Sequence, residues 1–112
     1  MNNVFYTPTA RTKLKSISLY LKKNFGEGVS QKVLREMTER IQDLAIYEEL
    51  GGKVLELFGV ESEYRYIFIA HNYVFYKVDE DAVRIIDIYN EREDFMFQLF
   101  GIHSLTDESV DE

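Results

Sequence analysis

The sequence predicts an α+β fold of element order β-α-α-β-β-β-α, a helical hairpin packed on one face of a curved, mainly antiparallel sheet. Three observations carry this. Apolar residues recur at helical spacing as far as Tyr47. After Gly51-Gly52 the period switches from about 3.6 to about 2. The alternating stretches that follow are separated by polar turns of two or three residues, too short for anything but antiparallel neighbours.

Asn3 to Tyr6 is a short apolar run that reads as a first strand, whose place in the sheet the sequence does not fix. Thr7 is a good N-cap and Pro8 suits the first helical position, where an amide proton has no partner to lose. Ala10, Leu14, Ile17 and Leu21 then form one apolar stripe, and Asn24 with Gly26 ends the helix. Beyond Gly28, Val29, Val33, Met37, Ile41, Leu44 and Ala45 mark a second amphipathic helix ending near Tyr47. The short connector makes the two helices antiparallel.

Val54 to Phe58 reads as a short strand. Tyr64 to Ala70 and Tyr73 to Val78 read as a hairpin turning at His71-Asn72, with Asn72 accommodating the positive φ that a two-residue turn needs. Asp79 to Asp81 is a second turn, and Val83 to Tyr89 a third long strand. Phe95, Met96, Leu99 and Phe100 share a helical stripe and predict a last short helix. A sheet this rich in Tyr, Phe and Ile cannot face water on both sides, so the hairpin must cover one face. The other is expected to stay at least partly open, no further layer being predicted to cover it.

At 112 residues the chain is of single-domain size, and 46% hydrophobic content with eight Tyr and eight Phe supplies a core. Residues 1–102 read as that domain and residues 103–112, with four acids and no base, as a solvated, disordered tail. The absence of Cys excludes a disulfide framework and a zinc–thiolate site. With no secretory leader at the N-terminus and no apolar run near the ~20 residues of a membrane span, the expected compartment is the cytoplasm. No metal or cofactor motif is present, and none is expected. The net charge of −7 is uneven. Residues 1–50 carry eight bases against six acids (+2), and residues 51–112 five against fourteen (−9). Nucleic-acid contact would therefore depend on a local basic patch. The candidate is Arg11, Lys13, Lys15, Lys22 and Lys23, which equally describe a solvated helix face.

The opening VFYTPTA, Gly51-Gly-Lys-Val-Leu-Glu-Leu57, Tyr64-Arg-Tyr66, Tyr73-Val-Phe-Tyr-Lys-Val-Asp79, Val83-Arg-Ile-Ile-Asp-Ile88 and Asn90-Glu-Arg92 with Phe100 beyond follow one another in a familiar order. In this the chain resembles the RelE/ParE superfamily of toxins from bacterial toxin–antitoxin modules, over about residues 3–100. The resemblance implies one fold with two modes of action, ribosome-dependent mRNA cleavage or poisoning of DNA gyrase, and neutralisation by a cognate antitoxin.

For the nuclease mode the resemblance singles out Arg65, Arg92 and Tyr89 as candidate catalytic residues. Attack of a ribose 2′-OH on the adjacent phosphate calls for fixed positive charge, which a guanidinium supplies bidentately. Tyr89 would stack on a base or assist proton transfer. Each has a plainer reading: Arg65 paired with Glu61 or Glu63, Arg92 paired with the acids flanking it, and Tyr89 packed in an aromatic sheet. The motif also departs from the nuclease pattern. Asn90 stands where many members have histidine and cannot act as acid or base at neutral pH, and Glu91 replaces a basic residue. Glu56 matches a general base of some relatives only loosely, His71 and His103 have no partners at a telling spacing, and Lys77, within an apolar strand, either points into the open face or snorkels to solvent.

Two functions follow as expectations. One is a type II toxin held by its antitoxin, acting on ribosome-bound mRNA as an endoribonuclease or on gyrase as an inhibitor. The other is a non-catalytic protein-binding module derived from the toxin fold. Growth arrest on expression without a partner separates them.

Overall fold

The computed structural model describes residues 3–93. The predicted last helix with Phe95, Met96, Leu99 and Phe100, as well as His103 and the acidic tail, lies outside them. Eight elements run in the order β1 (Asn3–Tyr6), α1 (Pro8–Phe25), α2 (Glu27–Asp43), β2 (Gly52–Lys53), α3 (Val54–Phe58), β3 (Arg65–Ile69), β4 (Asn72–Val78) and β5 (Ala82–Asn90). The fold class is the one expected, α+β with a helical hairpin on a mainly antiparallel sheet.

Thr7 caps α1 as its sequence requires: its hydroxyl accepts from the Ala10 amide at 3.1 Å, and Pro8 opens the helix. The helices are joined through Gly26 alone, at φ 95°, which glycine adopts without strain. Its amide donates to the Lys22 carbonyl to close α1. α2 accordingly starts at Glu27, ahead of the Gly28 boundary the sequence suggested. Close contact between the helices is polar at one point, where the buried Ser30 hydroxyl donates to the Ser18 carbonyl at 2.8 Å.

The sheet order is β1-β5-β4-β3-β2, with β1 parallel to β5 and all other pairs antiparallel. The β3–β4 turn is Ala70-His71, both at positive φ (51° and 65°), one residue earlier than predicted. Asn72 instead begins β4, its side-chain amide donating to the Ala70 carbonyl at 2.8 Å. That bond holds in place a turn that lacks the usual glycine.

In β4–β5 the register slips between Phe75 and Tyr76, which face Asp87 and Ile85 and leave Ile86 as a bulge. The bulge resets which side chains face the helices. Val83 and Ile85 point into the helix-side core, and after the slip Ile88 takes the next inward position while Asp87 and Tyr89 turn to the other face. Strict alternation would have buried Asp87 under the hairpin. The helix-side core joins Ala10, Met37, Ile41 and Leu44 to Ile67, Ile69, Val74, Tyr76, Val83, Ile85 and Ile88.

A further expectation is corrected. Val54–Phe58 is a helical turn, closed by Gly59 at φ 71°, and the strand beside β3 is only Gly52–Lys53. The far face stays partly open as expected, but α3 forms a partial second layer on it that the sequence does not predict. Val54 is fully buried, and Phe58 stands over Tyr66, Tyr73 and Phe75 with ring centroids 5.9, 5.7 and 6.3 Å away. What remains accessible lies toward the Ala70-His71 turn, where Phe68 is 43% exposed.

Candidate functional site

The three residues singled out by the resemblance do not converge. Arg65 shares the helix-facing side of β3 with Ile67 and Ile69, whereas Tyr89 belongs to the far-face cluster with Phe75 and Val54. Along the sheet, Arg65 is level with Tyr76 and Ile85, and Tyr89 with Tyr73. The separation is thus roughly 10 Å along the strands and roughly 10 Å across them, on opposite faces. Arg92 follows the end of β5 in an exposed turn shaped by its own backbone, its amide donating to Asn90 Oδ1 at 3.0 Å.

Arg65 is turned inward onto the chain. Its Nη2 donates to the Gly51 carbonyl at 3.1 Å and, at 3.5 Å, toward that of Glu49, while its Nε is buried without a hydrogen-bond partner. The pairing with Glu61 or Glu63 envisaged from sequence is not made; Glu63 instead lies 3.6 Å from Lys77 Nζ, which reaches outward from β4. Beside Arg65, the fully buried Tyr76 donates its hydroxyl proton to the Glu48 carbonyl at 2.7 Å and accepts from the Gly51 amide at 3.1 Å. A guanidinium and a phenol thus fix the backbone of residues 48–51, which leads from the hairpin into the sheet. Glu56, the loose general-base candidate, is exposed on α3.

Around Tyr89 the structure assembles a polar cluster that the sequence reading left scattered. Thr7 anchors the start of α1 to β5, its amide to the Ile85 carbonyl (3.1 Å) and its hydroxyl to the Ile86 carbonyl (2.8 Å). Among the described residues no strand beyond β1 covers the outer edge of β5, and α1 passes there instead. Lys13 reaches over that edge. Its Nζ donates to Asp87 Oδ1 at 2.9 Å and to the Ile88 carbonyl at 3.0 Å, and lies 3.7 Å from the centroid of the Tyr89 ring. Lys13 is therefore not part of a solvated basic face, unlike Arg11, Lys15, Lys22 and Lys23, which are exposed. The signal was present: Lys13 lies three residues after Ala10 and four before Ile17, on the border of the apolar stripe.

Burial first, and then a hydrogen bond and charge from Asp87, push the Tyr89 hydroxyl up to about 12. Tyr6 and Tyr76 are also raised, both chiefly by burial, with Arg11 opposing at Tyr6 and the Gly51 amide and Arg65 opposing at Tyr76. A phenol held neutral in this way stabilises the fold below its unfolded value near 10, and the benefit disappears as pH rises through the folded value. Melting temperature is therefore expected to fall steeply between about pH 10 and 12, with late phenolate absorbance from these three residues. Tyr89→Phe should soften that fall; a variant melting in parallel with the parent would refute the assignment.

On the helix side, an elongated groove of about 680 Å³ runs between α1 and the end of β5, with Ile17, Leu21, Val33 and Ile88 among its apolar walls and Arg92 and Glu93 at its rim. His71, also at this rim, has its Nδ1 2.6 Å from Glu91 Oε2. Among the described residues no cluster of three or more His, Cys, Asp or Glu is placed to hold a metal ion, and no helix is long and apolar enough to cross a membrane.

The helical hairpin and the five-stranded sheet with its one parallel strand define a fold of the RelE/ParE kind. A solved structure titled "Chromosomal ParDE TA system from P. aeruginosa" shares this fold, with a TM-score of 0.68, 16% identity, and 80% of this chain and 96% of that one covered. At that identity the likeness is one of fold. The model of the ParE toxin of type II toxin–antitoxin systems matches residues 4–95, and the chain belongs to this family. Membership implies a cognate antitoxin protein as partner. Among curated protein sequences none is significantly similar.

Proposed function

We propose that this chain is the growth-inhibiting toxin of its module, that it acts on DNA gyrase by binding and not by cleaving RNA, and that a cognate antitoxin covers it in the neutral complex. The observation that carries this reading is the dispersal of Arg65, Tyr89 and Arg92. Phosphoryl transfer needs its cationic and proton-transfer groups within hydrogen-bond reach of one phosphate. Here one arginine is committed to backbone carbonyls, the tyrosine is buried on the opposite face with its hydroxyl held neutral, and Asn90 offers no proton near pH 7. A binding inhibitor needs only surface, and the exposed bases of α1 together with the aromatic far face beside Phe68 supply one polar and one apolar patch.

The test adds the purified full chain to gyrase with relaxed plasmid and ATP, and separately to a translating ribosome extract. Loss of supercoiling with intact mRNA is expected. Cleavage of ribosome-bound mRNA that disappears in Arg92→Ala would overturn the proposal. Arg92 is exposed, so its substitution should change stability by no more than about 0.5 kcal/mol, and lost cleavage would report chemistry rather than unfolding. Arg65→Ala is the poorer probe, since it frees two carbonyls of the 48–51 loop and is expected to cost about 1–2 kcal/mol whatever the mechanism. Unaffected growth on expression without a partner would sink the toxin reading altogether.

A further inference from the structure

Exposed large apolar side chains gather at the two ends of the helical hairpin. Around the Gly26 connector they are Leu19, Tyr20, Phe25 and Val29, with Tyr20 61% exposed. After α2 they are Ile46, Tyr47 and Leu50, with Tyr47 64% exposed, and Leu55 and Leu57 follow on α3. Among the described residues, Phe5 and Phe68 are the other large apolar side chains exposed to this degree. Patches of this kind mark places built to be covered.

The two ends carry opposite charge. Residues 15–32 hold Lys15, Lys22, Lys23 and Lys32 against Glu27 (+3), and residues 43–57 hold four acids against Lys53 (−3). Lys22 and Lys23 stand between Tyr20 and Phe25 in the chain, and Asp43 and Glu49 flank Ile46 and Tyr47; all four are exposed. The 17 residues of α2, rising about 1.5 Å each, hold the two ends roughly 25 Å apart. The patches can therefore meet only between copies of the chain.

We propose that copies of this chain associate head to tail, the basic apolar tip of one hairpin docking on the acidic apolar surface that follows α2 in the next. Apolar contact supplies affinity and charge supplies orientation, since tip on tip would set like charges together. The interface is heterologous: each copy keeps one free end, so association continues past a dimer unless the rotation closes a ring. Four or five large side chains a side fall short of the roughly 20–30 residues of a standard interface, so binding is weak, in the micromolar-to-millimolar range. Lys22 and Lys23 are covered in the process, and self-association competes with any partner that reads the bases of α1. The inference is independent of the cellular target.

Sedimentation of the purified full chain tests it. At low salt the average mass is expected to rise from micromolar to millimolar concentration, and the rise should shrink at high salt. Lys22→Glu with Lys23→Glu, or Asp43→Lys with Glu49→Lys, gives both ends the same sign and should weaken association about ten-fold or more. The chain carrying all four substitutions has ends of −1 and +1 and should associate better than either pair alone. All four positions are exposed, so the fold is expected to survive. A chain that stays monomeric throughout, including one whose tip binds vesicles of anionic phospholipid instead, would overturn the proposal. So would association that either reversal leaves unchanged or that the fourfold variant fails to recover.

Discussion

Gly51→Ala is expected to lower stability by about 3 kcal/mol or more, enough to leave much of the domain unfolded at 37 °C and to abolish any growth arrest. A Cβ on Gly51 would lie 2.2 Å from the Tyr66 carbonyl oxygen and 2.7 Å from the Tyr76 hydroxyl. Neither neighbour can retreat. Tyr66 is held in β3 between β2 and β4, and the Tyr76 ring is fully buried. Moving residue 51 instead would break its amide bond to Tyr76 and its carbonyl bond from Arg65, two of the side-chain anchors of the 48–51 backbone described above. Several buried polar groups would be left unpaired at about 1–3 kcal/mol each. Gly28→Ala is the matched control. Gly28 lies within α2 with nothing within 4 Å of its notional Cβ, so the same substitution there should stabilise by about 0.5–1 kcal/mol. Urea melts of the two variants should therefore move in opposite directions, and a Gly51→Ala protein as stable as the parent would show that the 48–51 loop is not under the constraint described.

This contrast also shows what was legible in the sequence and what was not. The Gly51-Gly52 pair reads as a break, but no local pattern shows that its first glycine is required by a close approach from residues 66 and 76, far along the chain. Local chemistry was readable wherever it decides structure locally: the Thr7-Pro8 start of α1, the amphipathic stripes, and the polar turns of the meander. Val54–Phe58 reads as a strand because Leu55 and Leu57 around Glu56 imitate strand alternation, although Val54 and Phe58, four apart and followed by Gly59, are the inward pair of a short helix. The bulge at Ile86 left only a faint trace, the change of core spacing from two (Val83, Ile85) to three (Ile88). Of the candidate site, the family resemblance named residues but could not place them. Whether Arg65 faces a phosphate or a backbone carbonyl depends on tertiary contacts with a loop 14 residues away in sequence, which no pattern at Arg65 itself records.

The cluster at Lys13 is the second place where a single substitution should have a large effect, and it separates structural from functional roles at the edge of β5. Asp87 is only 8% exposed, and its Oδ1 accepts both from Lys13 Nζ and from the buried Ile88 amide. Asp87→Ala leaves that amide unpaired, removes a partner of the Tyr89 hydroxyl and strands the charge of a lysine whose side chain is two-thirds buried, for an expected loss of about 2–3 kcal/mol. Lys13→Met should cost less, about 1–2 kcal/mol, because Asp87 keeps its other donors and the methionine still covers the edge of β5 through its apolar stem. If the ion pair joins α1 to β5 as the geometry implies, the double variant will lose about 1 kcal/mol less than the two single losses combined. Strict additivity in urea melts at pH 7 would mean that the pair is not coupled. Growth arrest is the decisive second readout. A purely structural pair predicts that Lys13→Met, assayed below its own melting range, still inhibits as the parent does, whereas loss of arrest in a fully folded Lys13→Met protein would move this edge of the sheet from the scaffold into the surface that meets the target.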